Sequence, residues 1–185
     1  MVKRIVVIGP ESTGKSTLCS ALANHYNTLW CPEYAREYLL TNGKDYTYDN
    51  LLTIAKGQIA LEEKYAAKVA ATSTLPKTYL FIDTDMYVMK VWCEYVFGKC
   101  HSFILEQIKE RKYNLYLLCN IDLPWTRDEL REYPDEQPRR ELFQLYKELL
   151  TNQSVPFVEI SGLENDRIEA AIAAVESFKL LGEGC

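Results

Sequence analysis

Residues 9–17 read GPESTGKST. The apolar run IVVI at 5–8 precedes them, and LCSALANHY at 18–26, a stretch of helical character, follows. Residues 9–16 satisfy the pattern G-x-x-x-x-G-K-[ST], and a strand before with a helix after is the context in which that pattern forms a phosphate-binding loop. The chemistry demands these residue types. Glycine lets the backbone curl until successive N–H groups face one anion, and the following helix presents its positive end. In that frame Gly9, Glu11, Ser12, Thr13, Gly14, Lys15, Ser16 and Thr17 surround the phosphates of a nucleoside triphosphate. Lys15 lies along the β- and γ-phosphates, and the Ser16 hydroxyl ligates Mg²⁺. Pro10 has no N–H to donate and stiffens the entry to the loop.

Outward from the loop, short apolar runs rich in β-branched and aromatic residues recur at 5–8, 28–31, 79–82, 115–118 and 157–160. Helical periods separate them, as at Leu142, Leu145, Tyr146 and Leu149, and again at Ile168, Ala171, Ile172 and Val175. Alternating strands and helices predict an α/β fold, a parallel sheet covered on both faces. With the phosphate loop this is a P-loop NTPase, a nucleoside-kinase-like three-layer sandwich with a five-stranded parallel sheet and a helical lid. Residues 51–69 read as one long helix despite Gly57, which costs about 1 kcal/mol relative to alanine and so calls for a close packing contact or a ligand. TNGKDYTYD at 41–49 and REYPDEQPRR at 131–140 read as mobile loops.

The bulk numbers narrow the function classes. A chain of 185 residues is the length of one domain, expected to span 1–185. No apolar stretch approaches bilayer length, and MVKRIVVIGP reads as a first strand, not a signal peptide. The net charge of −5 argues against nucleic acid as a partner and for a small molecule. Six cysteines without a C-x-x-C pair, and only two histidines, read as reduced thiols of a cytoplasmic protein, not as zinc ligands or disulfides. No pattern identifies an oligomer contact.

Further residues carry chemistry. YLFIDTD at 79–85 ends a strand in Asp83, suited to hold magnesium beside Ser16; Asp85 serves magnesium, the substrate, or the cap of the next helix. In CPEYAREY at 31–38, Glu33 stands at a strand end as a general base and Arg36 orients it or meets a substrate hydroxyl. The plainer alternative is a helix opened by Pro32, with Glu33 at its positive end and paired to Arg36 on the surface. Arg127, Arg131, Arg139 and Arg140 are spread over a lid at about 120–143 that brings guanidinium charge to the transferring phosphoryl group, Arg131 as the catalytic member; a solvated, salt-bridged helix pair is the alternative. Gly162, in SGLENDR at 161–167, permits close backbone approach to the adenine ring, and the absence of an N-K-x-D stretch leaves ATP as the nucleotide.

In chain order GPESTGKS, PEYAREY, IAKGQ, FIDTD and LPWTRDELRE resemble the kinase domain of the NadR family, from residue 5 to about residue 175. The resemblance implies transfer of a phosphoryl group from ATP, with Mg²⁺, to the 5′-hydroxyl of ribosylnicotinamide. Gly14, Lys15, Ser16 and Thr17 then hold the phosphates, and Asp83 and Asp85 face magnesium and the ribose. Glu33, Tyr34 and Arg36 face the nucleoside, while Trp125 and Arg131 belong to the lid. In that family the domain commonly follows an adenylyltransferase and a DNA-binding domain; no H-x-G-H signature occurs here, so a free-standing kinase unit is expected. Pro32 is a departure, because relatives tend to carry an aromatic residue there. Trp30, Tyr34, Tyr38 or Trp125 then has to supply the face for a charged pyridinium ring. Two other readings stay open: an ATP-binding switch with slow hydrolysis, and a kinase for another nucleoside.

Overall fold

Val6 and Ile8 point to one face of their strand, Ile5 and Val7 to the other, and all four are fully buried. A strand apolar on both faces needs a layer of helices on each side. The structure, a computed structural model, describes residues 2–72, 78–131, 133 and 135–181. All five apolar runs become strands: β1 (Val2–Ile8), β2 (Leu29–Cys31), β3 (Thr78–Asp83), β4 (Leu115–Cys119) and β5 (Phe157–Ile160). They form one parallel sheet in the order β2-β3-β1-β4-β5.

Ile5 and Val7 pack under α1 (Lys15–His25) and α7 (Glu164–Leu181). Val6 and Ile8 pack under α3 (Tyr48–Thr72), α4 (Met86–Phe97) and α6 (Glu136–Thr151). A third apolar cluster joins α2 (Tyr34–Asn42) to α3, α4 and α5 (Ser102–Glu110) through Leu39, Leu51, Ile54, Met86, Met89 and Ile104. Among the described residues no helix is long and apolar enough to cross a membrane. Cys19, Cys31, Cys93, Cys100 and Cys119 are free thiols, four of them buried, and Cys185 lies outside the described residues.

The loop expected at 41–49 shrinks to 43–47. Its tight links explain the difference: the Asn50 carboxamide accepts from Thr47 N at 2.8 Å, and Trp92 Nε1 donates to the Tyr46 hydroxyl at 2.9 Å. The lid also differs from a helical one. Residues 121–131 are irregular apart from a turn in which Arg131 N donates to Asp128 O, and the helix begins only at Glu136; Glu132 and Pro134 lie outside the described residues.

Gly57 is explained by packing. A Cβ there would come 2.0 Å from Tyr34 Cε1. Next to it, the buried Gln58 accepts from Tyr34 N at 2.7 Å and donates to Thr84 O at 3.2 Å, fastening the start of α2 to the end of β3. One turn on, the buried Glu62 takes hydrogen bonds from Arg111 at 2.5 Å, Arg4 at 3.1 Å and the Tyr113 hydroxyl at 2.9 Å. Full pairing of this kind is what a buried charge requires.

Asp85 is the N-cap of α4. One carboxylate oxygen accepts from Tyr87 N at 2.9 Å and the other from the Tyr116 hydroxyl at 2.8 Å, with the residue 1% exposed. Burial pushes its pKa up to about 7, against the two hydrogen bonds.

Two predictions test this account. Replacing Gly57 by alanine forces the Tyr34 ring aside and should cost about 1–3 kcal/mol of unfolding free energy, as overpacking does. In a Tyr34→Ala background the same change should become neutral or stabilising by up to about 1 kcal/mol, read from denaturant midpoints. Asp85 keeps its proton in the folded state at a pH where the unfolded chain has released it. Its contribution is therefore full below about pH 4 and lost as pH rises toward 7. Asp85→Asn should flatten that part of the pH–stability curve.

Candidate active site

The register of β1 against β3 places Val7 opposite Asp83, and Thr84 N donates to Val7 O at 3.2 Å, so the ladder runs to the point where the phosphate loop begins. Gly9 turns the chain away from the sheet at φ 148°, where a Cβ would lie 2.7 Å from Cys119 O at the end of β4. Gly14 caps α1 in the left-handed conformation, φ 75°, and only glycine adopts it without strain. Both Thr13 Oγ1 and Lys15 Nζ donate to Pro10 O, at 2.7 and 2.8 Å, which curls the loop over its own lysine.

Ser16 Oγ donates to Asp83 Oδ2 at 2.5 Å, and Asp83 is fully buried with Oδ1 lacking a partner. Burial raises its pKa, opposed by the charge of Lys15 and the bond from Ser16. A buried carboxylate oxygen without a partner, next to a serine hydroxyl, fits a hard divalent cation such as Mg²⁺. Among the described residues no group of three or more His, Cys, Asp and Glu side chains surrounds a metal position.

Glu33 occupies the N-cap position of α2, but its side chain makes no capping bond. Its carboxylate instead lies at the cavity, where burial and then the charge of Asp83 raise the pKa to about 7, against Lys15 and Arg36. Arg36 does not pair with it: the guanidinium forms a two-pronged bridge to Asp128, at 3.2 and 3.0 Å. The surface pair of Glu33 and Arg36, the plainer alternative, is absent, and Arg36 instead bridges α2 to the lid.

The cavity holds about 270 Å³, near the lower end of small-molecule sites. Residues 9–17 form part of its wall. Glu33, Tyr133, Val88, Val91, Trp92 and Tyr95 of α4, and Leu142 and Tyr146 of α6 also line it. Tyr95 and Tyr133 meet edge to face at 5.7 Å. Sequence reasoning missed all four aromatic side chains, because α4 reads as an ordinary apolar helix and Tyr133 and Tyr146 are far away along the chain. The aromatic residues it offered lie elsewhere. Trp30 packs against the apolar cluster that includes α1, Tyr34 against Gly57, and Tyr38 takes a hydrogen bond from Asn50; Trp125 Nε1 donates to Glu11 Oε1 at 3.2 Å.

Of the lid arginines, Arg131 reaches the cavity wall, with its guanidinium also on Thr126 O. Arg127 is exposed and outside the wall, Arg140 pairs with Glu136 on the surface, and Arg139 is buried. Asp85 is taken up by its cap and also lies outside the wall. Gly162, φ 102°, is outside the cavity wall, its N–H on Asp122 Oδ2 at 2.7 Å, and Arg167 binds that same aspartate and the carbonyl of Gly162.

Residues 4–167 match the family model described as an AAA domain. The chain is 33% identical, over 98% of its length, to the trifunctional NAD biosynthesis/regulator protein NadR of Escherichia coli (strain K12), of which it covers 43%. It spans less than half the length of the curated relatives it matches. A crystal structure of NadR protein in complex with NR superposes with a TM-score of 0.76 at 24% identity, over 96% of this chain and 49% of that one. Thymidylate kinase from Ehrlichia chaffeensis superposes with a TM-score of 0.64 at 14% identity, over 94% of this chain and 98% of that one. These two likenesses concern the fold, and both are to proteins built on the same kind of sheet. The chain belongs to the AAA domain family, in which its sequence is similar to NadR.

Proposed function

We propose that this protein is an ATP- and Mg²⁺-dependent kinase that phosphorylates the 5′-hydroxyl of ribosylnicotinamide, giving the mononucleotide and ADP. The observation that carries the reading is Glu33: a carboxylate free of capping duty, with its pKa raised to about 7, lining the same cavity as the phosphate loop and four aromatic side chains. A nucleoside in that pocket presents its 5′-hydroxyl to Glu33. The carboxylate takes the hydroxyl proton, the oxygen attacks the γ-phosphorus, and the bond to the β–γ bridging oxygen breaks, releasing ADP. Positioning and neutralisation of charge supply the rest, through the loop N–H groups, Lys15 and Arg131. Ser16 and Asp83 are the residues that would hold Mg²⁺, which would neutralise charge on the phosphates.

Trp92, Tyr95, Tyr133 and Tyr146 give a cationic pyridinium ring the faces it favours, which makes up for Pro32. Similarity to NadR supports the choice of nucleoside. In this reading Arg36 reaches a ribose hydroxyl, and Gly162 and Arg127 flank the adenine.

The test is ADP release from Mg-ATP with and without ribosylnicotinamide, with the mononucleotide identified as product. Acceptor-dependent ADP matched by mononucleotide is expected; ATP hydrolysis indifferent to every nucleoside offered would overturn the kinase, and phosphorylation of a different nucleoside would overturn the acceptor. Glu33→Gln should lower turnover about 10²–10⁴-fold, the usual worth of a positioned base. Because the base works deprotonated, the rate should climb with pH through about 7, and the variant should lose that limb.

A further inference from the structure

Two residues of the phosphate loop have side chains that do not face the phosphates. Glu11 Oε1 accepts from Trp125 Nε1 at 3.2 Å and from Tyr133 N at 2.7 Å, and Ser12 Oγ accepts from Thr126 N at 3.0 Å. All three donors belong to the lid. A carboxylate beside a triphosphate is electrostatically unfavourable, so its presence in the loop requires another task, and the lid bonds supply one.

From behind, Arg139 of α6 meets the same two segments. It is 4% exposed, and its Nη2 reaches Ser12 O at 3.5 Å and Leu123 O at 3.3 Å, while Nε has no partner. Among the described residues it forms no ion pair, although the other buried arginine, Arg167, is bridged to Asp122. A buried guanidinium without a counter-charge is costly, and burial lowers its pKa, with the charges of Glu11 and Glu136 opposing. The charge is kept where one guanidinium nitrogen, Nη2, donates to a carbonyl of the loop and to a carbonyl of the lid.

We propose that Glu11 and Arg139 are positioning residues that clamp the segment 121–131 to positions 11 and 12 of the phosphate loop, so that the lid is held closed by the loop itself and excludes water from the transferred phosphoryl group. The catalytic consequence rests on the kinase reading; the clamp is a separate statement and can be tested without turnover.

The variants are Glu11→Gln, Glu11→Ala and Arg139→Lys, each checked for cooperative unfolding. Two quantities are measured: ADP formed per mononucleotide, and the rate of tryptic cleavage after the exposed Arg127 with a non-hydrolysable ATP analogue present. An amide oxygen accepts both N–H groups, so Glu11→Gln should be cleaved at the wild-type rate. Glu11→Ala, which loses both bonds it accepts, and Arg139→Lys should waste ATP and be cleaved faster, by roughly fivefold for each hydrogen bond lost. Equal damage from Glu11→Gln and Glu11→Ala would overturn the clamp, because charge and not acceptance would then matter. So would wild-type coupling and cleavage in Glu11→Ala, the variant that decides the matter if Arg139→Lys does not fold. A wild type that makes no mononucleotide overturns the kinase reading alone, and the cleavage rates then decide the clamp.

Discussion

The pairing of β1 with β3 is the constraint on which the rest of the site depends. Because the two strands are neighbours in parallel register, with Val7 opposite Asp83, the carboxylate that ends one is delivered to the loop that leaves the other. The Ser16–Asp83 hydrogen bond follows directly from that register. A slip of one residue would turn Asp83 to the opposite face of the sheet and break the link, since side chains alternate along a strand. The apolar faces of β1 oppose such a slip, because it would exchange the packing under α1 and α7 with that under α3, α4 and α6.

Glu33 and Asp85 show how one physical cause serves two ends. Burial raises both pKa values to about 7. Asp85 spends its oxygens on Tyr87 N and the Tyr116 hydroxyl, and so belongs to the architecture. Glu33, in the equivalent position at the start of another helix, makes no capping bond and remains available to a ligand. The difference lies in what surrounds each carboxylate and not in the residue type.

That difference also marks how far the sequence could be read. The phosphate loop, the five strands and the acidic strand end were legible because their signals are local: a fixed spacing of glycines, or a run of β-branched residues ending in aspartate. Gly57 announced a close contact but not its partner, since Tyr34 is 23 positions away and meets it only after α2 docks on α3. The aromatic wall was invisible for the same reason: Trp92 and Tyr95 share a helix, but Tyr133 and Tyr146 join them only through tertiary packing. The arginines at 120–143 suggested a lid and the prolines and charges at 131–140 a loop, yet the helix already begins at Glu136, while the chain is irregular to 131, where Glu11, Ser12 and Arg36 take up its donors and acceptors one at a time.

The middle of α3 acts as a ruler. Gln58 holds the start of α2 and the end of β3, while Glu62, one turn further along, is tied to Arg4 at the far end of β1 and to Arg111 and Tyr113 ahead of β4. The distance from the ion cluster to the catalytic end of the sheet is thus set by a single helical turn that cannot stretch. Insertions between residues 43 and 47 alter only a connection, whereas one residue added between Gln58 and Glu62 rotates the two anchors out of phase. The spacing of α3 is therefore a fixed length to which both anchors are tied, whereas the surface connections are not held to one.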